Sequence, residues 1–196
     1  MSRPRVMSDE QLDAAAREAF FELGPAAPVS DVARRLGVTQ AALFHRAGSK
    51  EALMLKALCP GAPHALAAFA EPPRADVSLH AQLAPTLSSL LEFLHQALPG
   101  LMILRGAGIS LGKAVPPGPP PPVAMRAALA SFLTVAAERR LTTLTNAAAT
   151  ADAMLGALEA RVVNAYLGGP AFIDGDDATF LQGLLEATLP GPPAAP

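Results

Sequence analysis

The amino-acid sequence predicts an all-α protein of about nine helices, with a short N-terminal helix-turn-helix head and a longer helical body. Three observations predict it. Segments rich in Ala, Leu, Glu and Arg repeat their apolar residues with a 3.6-residue period over most of the 196 residues. Aromatic residues make up only 5% of the chain, and the alternating β-branched runs that mark strands are rare. The 20 prolines and 15 glycines fall largely between the periodic segments, where they punctuate the chain.

Each helix of the head has a local cause. From Asp9 to Leu23, the residues Leu12, Ala16, Ala19, Phe20 and Leu23 share one stripe, with Ser8 as cap and Gly24-Pro25 as stop. Val29, Val32, Ala33 and Leu36 repeat the pattern over barely two turns. Gly37 closes them, since a residue without Cβ suits the left-handed conformation past a helix end. Thr39 caps a third helix, from Gln40 to about Arg46, and Val38 and Leu43 stand at hydrophobic-staple spacing around it. Gly48-Ser49 breaks the chain again and caps a fourth helix from Lys50 to about Leu58, ended by Cys59-Pro60-Gly61.

The body reads as helices over roughly Asp76 to Leu98, Leu101 to Leu111, Val123 to Thr143, Thr150 to Leu167 and Asp176 to Leu189. The run from Pro116 to Pro122 is expected to be a stiff extended connector, because proline lacks the amide donor and clashes with the preceding turn. Pro190 to Pro196 is expected to be a disordered tail. The chain therefore divides into a head over 1–59, a body over 60–189 and a tail over 190–196.

Composition excludes several classes of function. Through Cys59 the chain has eight Lys and Arg against seven Asp and Glu, and the remainder has seven against ten. The overall balance of −2 thus splits into a head near +1 and a body near −3. Cys59 is the only cysteine, which rules out an intramolecular disulfide or a thiolate zinc cluster within one chain. No uninterrupted apolar run reaches the roughly 20 residues of a membrane helix, and Met1 to Asp9 lacks the apolar core of a secretory signal. A cytoplasmic protein with no membrane partner is expected. His45, His64, His80 and His95 have no metal-ligand spacing, and no nucleophile elbow, zinc-protease or phosphate-loop sequence occurs. Catalysis, a metal and a cofactor are not expected.

Two short helices joined by a glycine turn, the second with small and polar residues facing outward, form a helix-turn-helix. In that arrangement one helix braces and the next enters the major groove of DNA. On the third helix, Ala42 and Leu43 are expected to face inward, while Gln40 with Phe44 and Ala41 with His45 are i, i+4 pairs on the opposite face. Gln40 matches an adenine edge and Ala41 a thymine methyl; Thr39, His45 and Arg46 are placed to reach phosphates, and Lys50 brings a charge to the same backbone. Arg3 and Arg5 fit a minor groove or a solvated tail equally well.

The same segment resembles the tetracycline-repressor family of bacterial regulators. The residues that carry the likeness are Leu12-Asp13-Ala14-Ala15, Phe20, Gly24, Val32 through Thr39, Ala42-Leu43-Phe44-His45 and Gly48-Ser49-Lys50-Glu51-Ala52-Leu53. The resemblance implies a DNA-binding head of three helices, a linking fourth helix, a variable ligand-binding body and a homodimer built from the last two helices. It implies operator DNA, a second copy of the chain and a small-molecule effector as partners. Three residues depart from the family pattern: Phe44 where a tyrosine is usual, Ala47 where an aromatic is usual, and Ala27-Pro28 where a Thr or Ser commonly starts the second helix.

Taken together these features point to a ligand-responsive regulator, a repressor released from a palindromic operator by a small, largely apolar effector. The alternative is a ligand-binding or protein-interaction module with weakened DNA binding. A thiol sensor through Cys59 is a third reading. In the body, Phe93, Met102, Met125 and Phe132 are candidate pocket residues; Arg105 either pairs with an acid such as Glu92 or anchors an anionic ligand. Met154, Leu155, Leu158, Val162 and Tyr166 form one apolar stripe and Phe180, Leu181, Leu184 and Leu185 another, which suit a dimer interface or internal packing.

Overall fold

The computed structural model describes residues 8–59, 65–110, 112 and 118–192. Arg3, Arg5, the start of the proline run and the last residues of the tail lie outside them.

Nine α-helices are found among the described residues, with no strand: α1 Asp9–Leu23, α2 Val29–Arg35, α3 Gln40–Ala47, α4 Lys50–Leu58, α5 Ala65–Ala68, α6 Leu79–Gly106, α7 Pro121–Glu138, α8 Ala147–Gly168 and α9 Asp177–Thr188. The all-α expectation is met. The helix starts follow the caps. Ser8 and Gln11 form a reciprocal capping box at 3.0 and 3.2 Å. The hydroxyls of Thr39 and Ser49 accept from the amides of Ala42 and Ala52 at 3.1 and 3.0 Å. Gly37 and Gly48 both have positive φ, 64° and 78°, at the turns that separate α2, α3 and α4.

The chain forms two compact units, residues 1–61 with 96–116, and residues 62–95 with 117–196. In the first, one core joins Leu12, Ala16 and Phe20 of α1, Val32 and Ala33 of α2, Leu43 of α3, and Leu53, Met54 and Leu58 of α4 to Ile103 and Leu104 of α6. The segment 96–116, which the sequence places in the body, thus packs with the head helices. In the second unit, Leu83, Leu87 and Leu91 of α6, Leu129 and Leu133 of α7, and Met154 and Leu158 of α8 are fully buried.

Several boundaries differ from expectation: α7 ends at Glu138 rather than Thr143 and α8 starts at Ala147 rather than Thr150, and three proline-containing stretches behave otherwise than expected. Pro99-Gly100 does not divide a helix: α6 runs 28 residues through it. By length and composition α6 would cross a membrane, but its buried leucines belong to the cores of the two units. Pro121 and Pro122 are not connector but the first turn of α7, where a missing amide donor leaves no hydrogen bond unmade. Pro190 and Gly191 are tied down: their carbonyls accept from the Thr142 hydroxyl at 2.6 Å and the Thr143 amide at 3.1 Å.

Candidate DNA-binding surface

The candidate surface is built on α3. Leu43, 1% exposed, seats the helix in the head core and thereby fixes which way every other residue on it points. Gln40, Ala41, Phe44 and His45 are all exposed, so the structure brings the four expected reading residues onto one open face. Ala42 is exposed too, contrary to the inward direction expected of it; Leu43 alone fills that side. Ala47 is half-buried against the core, in keeping with a small residue at a position where the family usually has an aromatic.

The flanking groups are more committed than the sequence reading has them. The Thr39 oxygen is already the acceptor of the α3 cap. Arg46 turns back to α1, its Nη2 donating to Asp9 at 2.9 Å. Lys50 Nζ donates to the carbonyl of Pro25 at 3.2 Å, pinning the start of α4 to the turn after α1. The other head cations are similarly held: Arg34 by Asp31 at 2.8 Å, Arg35 by Glu22, and Lys56 by Asp13 at 3.4 Å. The Arg35 partner holds the Glu22 carboxyl below its ordinary range, and Glu22 in turn raises Arg35. Pro28 sits at the cap position of α2 with extended backbone and no side-chain cap bond, one residue before the first turn expected for it.

Cys59 follows α4 and packs partly against the head core. Burial pushes its thiol up from the ordinary value, away from the thiolate that a sensor needs. Its surroundings thus lend the thiol-sensor reading no support.

The remaining candidate residues are divided between the two units. Phe93 is half-buried and Met125 and Phe132 are buried in the second unit, whereas Met102 and Arg105 belong to the first and are exposed. Arg105 is thus not a buried cation in need of Glu92 or of an anion. Of the interface candidates, Met154, Leu158, Val162, Leu181 and Leu185 are buried inside the second unit itself. That corrects their use as an open face, because a helix already packed along a stripe cannot offer the same stripe to a partner. Leu155, Phe180 and Leu184 are half-buried, and Tyr166 is exposed. Leu167 and Phe172, which the apolar stripes did not include, are the most open large apolar residues, at 70% and 73%. Among the described residues no group of three His, Cys, Asp or Glu is placed to hold a metal ion.

Three short helices with the third open on one face form a helix-turn-helix arrangement. Residues 12–57 match the family model described as bacterial regulatory proteins, tetR family. The fold is similar to that of the TetR-family regulator PfmR from Thermus thermophilus, at 19% identity and a TM-score of 0.61, covering 91% of this chain and 96% of that one. It is equally similar to a TetR-like transcriptional regulator from Rhodococcus sp. RHA1, at 19% identity and a TM-score of 0.61 over 93% and 96%. NalD of Pseudomonas aeruginosa, the secondary repressor of the MexAB-OprM multidrug efflux pump, follows at 18% and 0.55 over 91% and 95%. At these identities the likeness is one of fold. No curated protein matches the chain. Residues 12–57 thus match the head of tetR-family regulators, and the chain as a whole has a fold like theirs.

Proposed function

We propose that the protein is a non-enzymatic, cytoplasmic, DNA-binding regulator that occupies a palindromic operator as a homodimer and is released as a repressor by a small, largely apolar effector. The observation that carries it is the open face of α3, where Gln40, Ala41, Phe44 and His45 stand exposed while Leu43 locks the helix into the head core. An exposed glutamine beside an alanine methyl suits a base-reading surface, and the residues around it suit backbone contacts. Dimerisation would use the outward sides of α8 and α9 and the exposed Tyr166, Leu167 and Phe172. An effector that binds one spacing of the two heads better than the other shifts the operator equilibrium by its differential affinity.

The test is fluorescence-anisotropy titration of the protein on DNA fragments from beside its own gene. Wild type is expected to bind one fragment more tightly than scrambled DNA. Gln40→Ala is expected to lose about 1–3 kcal/mol on that fragment with little change on scrambled DNA. Equal binding to all fragments by both proteins overturns the reading.

One observation favours the second reading, a ligand-binding or protein-interaction module with weakened DNA binding. The head cations Arg34, Arg35, Arg46, Lys50 and Lys56 are all engaged by acids or a carbonyl of the head, so each phosphate contact would have to displace one of these bonds. Phe44→Tyr, which adds a hydroxyl to the same open face, separates the two readings if it alone creates measurable DNA affinity.

A further inference from the structure

The body is the proposed seat of the effector, and the ligand chemistry inferred for it rests on that reading. A cavity of about 580 Å³ opens within the second unit, bounded by the end of α5, the segment that follows it, the start of α6 and the second half of α7. That is within the size range of small-molecule sites. One end is aromatic. Phe69 and Phe132, both buried, meet edge to face with ring centroids 5.6 Å apart and planes at 62°.

The other end is cationic. Arg139 follows Phe132 by seven residues, two helical turns along the same face and about 10 Å along the axis. Its Nη1 donates to the carbonyl of Pro73 at 2.9 Å, the only side-chain hydrogen bond it makes among the described residues, and no carboxylate pairs with it there. The rest of its donor fork is uncommitted. Arg74, also on the wall, is neutralised by its own acid: its Nε and Nη2 hold Asp76 at 3.0 and 2.6 Å in a bidentate pair. Gln82 is fully used in bracing the segment, bonding the amide and carbonyl of Arg74 and the carbonyl of Val77. Among the described lining residues Glu71 is the one carboxylate, and it is exposed.

We propose that this cavity binds a monocarboxylate bearing an aryl or short alkyl tail, with the tail against Phe69 and Phe132 and the carboxylate on the open edge of the Arg139 guanidinium. A planar guanidinium fork pairs bidentately with a carboxylate and far less well with a neutral hydroxyl. The spacing between aromatic floor and cation fits a carboxylate set about 10 Å or less from its apolar end. The cation that sequence reasoning sought at Arg105 is thus supplied by Arg139, at the end of the helix that carries Phe132.

Isothermal titration of the full chain without DNA tests this, using 4-phenylbutanoate and its uncharged counterpart 4-phenylbutanol. The acid is expected to bind with a dissociation constant below about 1 mM and at least tenfold more tightly than the alcohol. Arg139→Gln is expected to remove that tenfold preference while leaving the alcohol within twofold. Phe132→Leu is expected to weaken both probes together. Because Arg139→Gln also removes a bond to Pro73, Arg139→Lys provides a folded control that keeps the charge and an intermediate preference. Equal binding of acid and alcohol, binding of neither, or an acid preference that survives Arg139→Gln overturns the proposal. Operator titration is a separate measurement: acid bound with DNA affinity unchanged retains the site and overturns the effector role, whereas operator bound without acid retains the regulator and overturns the site.

Discussion

Leu43 and Phe44 are neighbours in the chain, about 100° apart around the helix, one closed in the head core and the other open on α3. That rotation sets the division once the cap at Thr39 fixes where the helix begins and Leu43 is seated in the core. The cap sets where the helix starts, and the seating of Leu43 decides which four side chains are offered outward. Cys59 is the opposite case: its chemistry makes it a candidate, and its surroundings do not support that role. Its partial burial raises the thiol above its ordinary value, which disfavours the nucleophilic thiolate. Alkylation by iodoacetamide at about pH 8 is expected to be slower in the native protein than in the denaturant-unfolded chain. A native rate equal to or above the unfolded rate would restore Cys59 as a reactive site.

At the scale of elements, the caps explain how much of the head was legible in advance. Ser8, Thr39 and Ser49 each accept an amide three residues on, and such bonds are written in the local sequence. The body lacks that clarity. Pro99-Gly100 has the composition of a helix break, yet α6 continues, since an internal proline removes one hydrogen bond and neighbouring contacts can hold the helix. The reason for Gly100 is tertiary: a Cβ there would lie 2.5 Å from the carbonyl oxygen of Leu58, so glycine permits the close approach of α4 and α6 within the first unit. No periodicity within α6 reports that neighbour. The open face of the candidate DNA surface was readable because it is local, while the internal pairing of Arg46 with Asp9 spans 37 residues and was not.

Arg140 carries a testable strain at the same scale. It follows α7 at φ 58°, and the amides of Arg140 and Leu141 close back on the carbonyls of Ala137 and Ala136, both at 2.9 Å. This left-handed position costs a residue with a Cβ roughly 1 kcal/mol relative to glycine. Arg140→Gly is expected to raise stability by about 0.5–1 kcal/mol, less the entropy glycine adds to the unfolded chain. For a chain of this size that is roughly 1–4 °C in melting temperature. A lower melting temperature would mean that Arg140 makes up the strain through its side chain.

For the whole molecule, what the second unit buries constrains what it can share. Arg161, 6% exposed, donates to Asp177 at 2.6 Å and to the carbonyls of Asp174 and Gly175, while its guanidinium lies 4.6 Å from the Phe180 ring centroid. His95 of α6 reaches the other oxygen of Asp177 at 3.3 Å. The start of α9 is thus fastened to α6 and α8 by polar bonds in addition to the apolar stripe of Leu181 and Leu185, so both α8 and α9 enter any dimer as a fixed pair with their inner faces spent. The surface left for a partner contains Leu167 and Phe172, the two residues on which the proposed interface rests. Leu167→Glu places a charge where the proposed symmetric interface would bring it against its own copy, and at 70% exposure the leucine contributes little to its own chain's core. Light scattering is expected to report a dimer for wild type and a monomer for Leu167→Glu, with the melting profile of the head unchanged. Operator affinity is expected to fall at least tenfold in the same variant, because one head alone makes half the contacts and assembly must then occur on the DNA. A variant that remains dimeric would move the interface to another surface; a monomeric variant with full operator affinity would show that the dimer is dispensable for DNA binding.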